Sequence, residues 1–397
     1  MTDKLYYRDI DKKEFNAEIL EAVKEKKGWR VVLDKTCFFP EGGGQPADKG
    51  WLKDIPVTDV QKEGDLIYHY LAENPGTGAA AGRIDFDHRR DFMQQHTGQH
   101  ILSGALWKIG GYKTLAVHMG EDYTTIEIEA PDIPEKDVIA VEEMANRVIN
   151  RDLQVSIVET GHSELHRFPL RRPTDLKGKI RLVRIGDFDC AACGGLHFKS
   201  TREVELVKAI GVEKIRGNAR IAWKIGGRAF ADYREKDKII TALRTVLGTK
   251  EDMFAQKAQE LQEEIVTYKR KCNQLENRLA ETAAQNLFEG QQDPGAGFRV
   301  ITVSWQDEDA NLTKKILKNL INREKVVVCA VNVTADRVQW SIGCSADVDF
   351  SFDGIKDDLL SIIDGRGGGR FPLWQGAGAA PDRAGDFLKK FRELHCS

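Results

Sequence analysis

The first 88 residues carry short runs in which apolar and polar positions alternate, Trp29–Leu33 and Asp65–Tyr70 among them, separated by glycine and proline. Alternation with period two puts every second side chain on one face of a strand, and the breaks at Glu41–Pro46 and Pro75–Gly78 supply tight turns. A small N-terminal β-barrel or sandwich over residues 1–88 is the expectation. From Asp87 to Trp107 the apolar spacing turns helical, and strands at Thr124–Glu129 and Lys179–Ile185 then flank a helix at about Glu135–Asn150. Residues 89–233 therefore read as an α+β domain.

The segment 234–290 changes character. Phe254, Ala258, Leu261, Ile265, Tyr268, Cys272, Leu275 and Leu279 stand alternately four and three apart, an a/d seam sustained for more than three heptads. Thr249 and Asp252 offer a capping box after Gly248, and Gly290 offers a stop. The seam predicts a long helical hairpin or coiled coil, packed on a shorter helix at about 234–247 or on a second copy of the chain. After a linker at Gln291–Gly297, residues 291–397 read as a C-terminal α/β domain. Its strands are Phe298–Ser304, Val326–Val333 and Val338–Gly343, with helices at about 309–324, 354–363 and 383–395. The fold class expected is thus an α+β multidomain chain without a fixed-period repeat.

Composition places these elements in a soluble globular chain, with 41% hydrophobic and 30% charged residues among 397. The N-terminus has no apolar signal-like stretch and the chain no run of about 18 apolar residues, so the expected location is cytoplasmic, away from membranes. Seven scattered cysteines, an odd number, suggest metal binding or free thiols rather than a disulfide framework. With 59 basic against 62 acidic residues the net charge is −3, which leaves any nucleic-acid contact to a local patch. Arg167, Arg171, Arg172, Lys177, Lys179, Arg181 and Arg184 form such a patch, unless they are simply a solvated face.

His96 and His100 stand four residues apart, which on a helix brings both imidazoles to one face. Thr97 sits where metalloproteases of this spacing carry a glutamate base, so peptide hydrolysis by that route is disfavoured. Further on, Cys190-Ala-Ala-Cys193-Gly-Gly-Leu-His197 contains a Gly194–Gly195 turn able to aim Cys193 and His197 at one point. His96, His100, Cys193 and His197 make a His3Cys set, for which one zinc ion per chain is the natural match. Cys190 could replace one ligand. Four filled positions also suit a closed structural site, whereas a catalytic site keeps one for water. His162 and His166 repeat the four-residue spacing, but Pro169 and Pro173 crowd them.

The motifs His96-Thr-Gly-Gln-His100, Cys193-Gly-Gly-Leu-His197 and Thr36-Cys-Phe-Phe-Pro-Glu-Gly-Gly-Gly-Gln-Pro-Ala-Asp48 resemble, in that order, the editing domain of alanyl-tRNA synthetase and its free-standing relatives, the alanyl-tRNA editing proteins. Gly365–Gly378 is similar to the glycine-rich segment of the DHH-associated C-terminal domain, which in the synthetase helps hold tRNA. The resemblance implies a zinc-dependent hydrolase that deacylates alanine tRNA mischarged with serine or glycine, without ligase activity. It favours His197 as the fourth metal ligand, although the need for an open position argues for a nearby polar group instead. Thr36 is the candidate contact for a serine hydroxyl, with Gln45 and Gln95 as further candidate catalytic residues. Gly42, Gly43 and Gly44 would let backbone N–H groups approach the substrate, and Arg366, Gly367, Gly368, Gly369 and Arg370 would touch tRNA. A homodimer through the helical segment or the C-terminal domain is equally open. Leu196 departs from the threonine usual before the last histidine, which puts substrate preference in doubt. Two competing readings remain: a zinc-stabilised tRNA-binding protein without catalysis, and a phosphoesterase. The second lacks support, since Asp87-His88-Arg89 does not supply the histidine pair of a DHH motif.

Overall fold

The computed structural model describes residues 1–26, 28–290 and 297–395 of a mixed α+β multidomain chain. It separates into two units, Met1–Leu243 and Arg244–Ser397. The first opens with β1 (Asp3–Lys4), α1 (Leu5–Arg8), β2 (Glu14–Glu25), β3 (Gly28–Leu33), β4 (Lys35–Thr36), β5 (Gly50–Leu52), β6 (Ile55–Glu63), β7 (Leu66–Leu71) and β8 (Gly78–Ile84). Strands β2, β3, β7, β6, β5 and β8 pair antiparallel in that order, and β8 returns to β2 so that the ring closes. The alternation explains the sidedness: Phe15, Ala17 and Ile19 are buried while Glu14, Asn16 and Glu18 face solvent. The buried set continues through Leu33, Phe38, Val60 and Ile67 to Met93, Leu196 and Phe198. Those last three belong to the segments that carry the histidines, so the ring packs directly against the candidate site.

Helix α2 (Phe86–Gly110) starts where the Asp85 carboxylate accepts from the His88 N–H and ends at Gly111 in the left-handed conformation. Beyond it come β9 (Thr114–Met119), β10 (Thr124–Ile128), α3 (Glu135–Asn150), β11 (Val155–Gly161), β12 (Lys179–Ile185), β13 (Asp189–Ala192), β14 (Val207–Ile215) and β15 (Asn218–Ile225). They form two antiparallel sheets, β14-β15-β10-β9 and β11-β12-β13. Ile101, Leu102, Leu106, Val141, Val148, Val183 and Trp223 join these sheets to α2 and α3 in one core.

Helix α4 (Gly227–Leu247) begins earlier than residue 234 because Arg228 is anchored, donating to Asp91 and to the Gly120 carbonyl at 2.6 Å each. Helix α5 (Phe254–Glu289) runs for 36 residues. The capping box expected from Thr249 and Asp252 does not form; a short 3-10 turn at Glu251–Met253 precedes α5, and neither start has a side-chain cap. Glu251 is instead paired with Arg244. The seam is not buried in a hairpin either. Leu261, Ile265, Tyr268, Cys272, Leu275 and Leu279 are exposed, whereas Ala280 and Ala284, which lie off the seam, pack on α6 (Ala310–Ile321).

The second unit is built on β16 (Arg299–Gln306), β17 (Val326–Val333), β18 (Val338–Cys344), β19 (Gly365–Arg370) and β20 (Leu373–Gly378), in the order β16-β17-β18-β20-β19 with only β16 and β17 parallel. β17 is apolar at nearly every position because both its faces are covered. Val326, Val328 and Ala330 meet α5 and α6, and Val327, Cys329 and Val331 meet α7 (Lys356–Leu360) and α8 (Ala384–His395). The linker read at 291–297 lies, except for Gly297, outside the described residues. No helix among the described residues is long and apolar enough to cross a membrane.

Candidate metal centre

The four-residue spacing on α2 sets His96 and His100 side by side, with ring centroids 5.3 Å apart. After β13 the chain turns at Gly194 and Gly195 and brings His197 back, its ring 4.3 Å from His96 and 4.7 Å from His100. A Cβ on Gly195 would lie 2.1 Å from the His96 ring, so only glycine lets the turn approach this closely. The donor atoms of His96, His100, Cys193 and His197 all fall within 4.8 Å of one another. Cys193 Sγ stands 3.2 Å from His96 Nε2 and 3.4 Å from His197 Nε2. A tetrahedron with ordinary zinc–nitrogen and zinc–sulfur bonds has edges of roughly 3.3–3.8 Å. Both sulfur–nitrogen separations lie close to that range, so the group could hold a metal ion, and no second such group is found among the described residues.

The surroundings prepare these donors. Gln45 Oε1 lies 2.9 Å from His96 Nδ1 and also accepts from the Leu196 N–H at 2.9 Å. A carboxamide oxygen can only accept, so the His96 proton resides on Nδ1 and Nε2 is left for a metal. Thr97 Oγ1 stands 3.3 Å from His197 Nδ1 and accepts from the Phe198 N–H at 3.2 Å. His100 Nδ1 is buried without a hydrogen bond, 3.9 Å from Asp189 Oδ2. Burial, and after it the neighbouring histidines and arginines, lowers the basicity of all three imidazoles, His100 to about 3. They are held neutral, the form that binds metals. Burial pushes the Cys193 thiol up, opposed by the Gly195 N–H and Arg181.

Not every residue singled out by sequence joins this cluster. Cys190 is buried against Ile180 and Leu182, and His162 and His166 bond to the carbonyls of Leu176 and Ser163. Gln95, one position before His96 on the helix, faces elsewhere, donating to the Ile225 carbonyl and accepting from Thr124. Gly42 bridges to Gln45 across a tight turn, and a Cβ on Gly43 would lie 4.0 Å from Gly195 N, so this turn lies against the cysteine motif. Leu196 is fully buried in the ring core beside Phe38, Phe39 and Met93, where its side chain packs instead of facing the ligands. Thr36 is fully buried too. Its Oγ1 accepts from the Phe38 N–H at 3.0 Å and lies 2.8 Å from His69 Nε2. His69 Nδ1 faces the Val31 carbonyl, and burial lowers its pKa to about 4. The neutral ring therefore carries its proton on Nδ1, so Thr36 donates to Nε2 and keeps one lone pair open.

The basic patch is largely spoken for. Arg181 donates to the carbonyls of Cys193 and Gly195 and lies over the Tyr7 ring, while Arg171, Lys179 and Arg167 pair with Asp189, Glu159 and Glu164. The sequence left Arg181 as a phosphate contact or part of a solvated face; in the structure it clamps the metal-site turn. Asp48 and Arg89, a buried ion pair that pins the loop carrying Gln45 onto α2, were missed altogether. His88 bonds to the Ala47 carbonyl, and no paired-aspartate metal group occurs among the described residues, which leaves the phosphoesterase reading without a site. In the second unit, a Cβ on Gly376 would fall 2.1 Å from the Arg366 carbonyl and 2.6 Å from the Trp340 ring. The glycines of β19 and β20 thus serve close strand packing over Trp340, with Arg366 and Arg370 exposed on the edge strand.

Two family models match, tRNA synthetases class II (A) over residues 2–86 and threonyl and alanyl tRNA synthetase second additional domain over residues 180–221. The alanine–tRNA ligase of Pyrococcus abyssi is 30% identical over 391 residues, which cover 94% of this chain but 42% of the ligase. The chain thus spans less than half the length of that relative. A solved structure, the C-Ala domain from Aquifex aeolicus alanyl-tRNA synthetase, matches 25% of this chain and 93% of its own at 23% identity with a TM-score of 0.24, too low to bear on the fold. The alanyl-tRNA editing protein AlaX-L of Pyrococcus horikoshii is 36% identical over 294 residues, 71% of this chain and 70% of that protein. On that extended likeness, the chain belongs to the alanyl-tRNA editing protein family.

Proposed function

We propose that this chain hydrolyses, in trans, the ester joining a wrong amino acid, serine or glycine, to alanine tRNA, with one zinc ion held by His96, His100, Cys193 and His197. The observation that carries this reading is the buried His3Cys cluster, its donors within 4.8 Å, beside a glutamine whose Nε2 is buried and unpartnered. Zinc, when bound, supplies Lewis-acid polarisation and a more acidic water. Gln45 holds the His96 tautomer through its oxygen, and its spare N–H is available to the carbonyl oxygen that gains charge during attack. The Gly42 N–H is committed to the Gln45 carbonyl, which leaves the N–H groups of Gly43 and Gly44, on the turn beside Gly195, to approach the substrate. Thr36, its proton committed to His69, can accept a hydrogen bond from a serine hydroxyl. Arg366 and Arg370, with Gly367–Gly369 between them, offer an edge for RNA phosphate and supply affinity apart from the chemistry.

Deacylation assays with Ser-, Gly- and Ala-charged alanine tRNA test the proposal. Turnover of Ser- or Gly-tRNA that spares Ala-tRNA and is lost on chelation supports it. The closed four-donor geometry favours one rival, a zinc-stabilised tRNA-binding protein, and stoichiometric tRNA binding without turnover would select that rival.

Two further outcomes follow from the same reading. Thr36→Val should depress hydrolysis of Ser-tRNA more than of Gly-tRNA, by about tenfold in the ratio, because only serine offers a hydroxyl. Thr36→Ser should retain the preference, and equal losses on both substrates would assign Thr36 to scaffolding. Replacing both Arg366 and Arg370 by alanine should reduce the salt slope of tRNA binding by about two while single-turnover hydrolysis at saturating enzyme persists. An unaltered slope would remove β19 from the RNA contact.

A further inference from the structure

The face of α2 that carries the metal donors does not end at His100. By helical periodicity His96, His100, Ser103 and Trp107 share one side of the helix. Trp107 follows His100 by about two turns, or about 10 Å along the axis. There it lines a cavity of about 380 Å³ together with Tyr112, Lys113, Arg171, Arg172 and Pro173. Trp107 is 41% exposed, so its indole is open to a ligand. Tyr112 is held in place by its hydroxyl, which donates to Asp137 at 2.6 Å, and by its ring, which lies over Gly110 where a Cβ would come within 2.2 Å.

This cavity is joined to the metal cluster through one carboxylate. Asp189 Oδ1 accepts from Arg171 Nε at 2.8 Å, and Oδ2 lies 3.9 Å from His100 Nδ1. The cavity's charges are unevenly satisfied: Lys113 is paired with Glu129 at 2.9 Å and Arg171 with Asp189, while Arg172 is exposed and has no ion-pair partner among the described residues. Two aromatic rings beside an unneutralised guanidinium are the equipment for holding an unpaired base and its phosphate.

We propose that the cavity receives the 3′-terminal nucleoside of the acceptor strand, its base stacked on Trp107 and Tyr112, and Arg172 meeting an adjacent phosphate. The proposal rests on the editing reading for what lies at the metal. An amino acid esterified to the terminal ribose puts the base one sugar away from the reacting carbonyl, a reach comparable with the two helical turns from His100 to Trp107. The metal cluster and the cavity thereby divide one substrate between them, the acyl group at His96 and His100 and the nucleoside at Trp107.

Binding of a fluorescently labelled, uncharged acceptor minihelix to the full chain tests this. Trp107→Ala should weaken binding of the intact RNA about tenfold, and removal of the terminal base from the RNA should weaken binding to the unaltered protein by a similar factor. Variant protein with abasic RNA should bind no worse than either change alone, since both delete the same contact. Trp107→Phe should restore most of the affinity, and Arg172→Ala should reduce the salt slope by about one. Loss in Trp107→Ala that is equal for intact and abasic RNA, or no loss, would overturn the assignment. Failure of the unaltered chain to turn over Ser- or Gly-tRNA would overturn the editing reading instead, and the cycle on uncharged RNA would still decide what the cavity holds.

Discussion

Replacing His96 or Cys193 by alanine should abolish stoichiometric metal binding and lower deacylation by more than about 100-fold, a larger effect than the 10- to 100-fold typical of a group behind a ligand. Each supplies a donor within the 4.8 Å cluster, and neither Cys190, packed against Ile180 and Leu182, nor Gln45, committed to His96 and Leu196, is placed to replace it. Elemental analysis of the purified variants measures the first quantity and single-turnover deacylation the second. Unchanged metal content in both would remove the cluster as the metal site. Metal lost with turnover intact would make the ion structural. The Cys193 thiol sits high because it is buried, so binding must expel its proton, and metal uptake should release protons in an unbuffered titration.

The second large effect is on stability. Arg89→Ala should cost about 3–5 kcal/mol, because it strands a carboxylate in the core. Arg89 is fully buried and Asp48 is 2% exposed. The guanidinium reaches Asp48 at 2.5 Å, the Ile10 carbonyl at 3.2 Å and the Cys37 carbonyl as well, while Asp48 Oδ2 accepts from the Phe39 N–H at 2.6 Å. These contacts tie together the N-terminal turn, α2 and the loop that bears Thr36 and Gln45. Urea unfolding measures the loss, and metal affinity should fall alongside it as Gln45 loses its support. Replacing the pair together, Arg89→Met with Asp48→Leu, should cost less than either single change that leaves the other charge behind. A midpoint for Arg89→Ala equal to that of the unaltered chain would show that the pair contributes nothing to stability.

Whatever depends on neighbours a few residues apart can be read directly from the order of residues. The helix read at about Glu135–Asn150 and the strand Lys179–Ile185 were legible, because amphipathic spacing of 3.6 or 2 is imposed locally. The pairing of His96 with His100 was legible for the same reason, and so was the turn that aims Cys193 and His197. Family resemblance added the order of the motifs, which periodicity does not contain.

What depends on partners far along the chain emerges with the folded packing. Gln45 and His96 are 51 residues apart, Asp48 and Arg89 41 apart, and Tyr7 donates to Gly194 across 187. No local pattern announces such contacts. The same distance hides what each side chain meets: Arg181, read as a phosphate contact or as part of a solvated face, donates to the Cys193 and Gly195 carbonyls. Gln95, a catalytic candidate, has its amide bonded to the Ile225 carbonyl and the Thr124 hydroxyl. The a/d seam of α5 shows the opposite limit. Its heptad spacing makes one helix face apolar, but spacing contains no information on what covers that face, and the burial of Ala280 and Ala284 on α6 was set by the second unit's sheet. Local geometry specifies which side chains share a face; long-range packing specifies what each face meets, and the chemistry of the site is decided there.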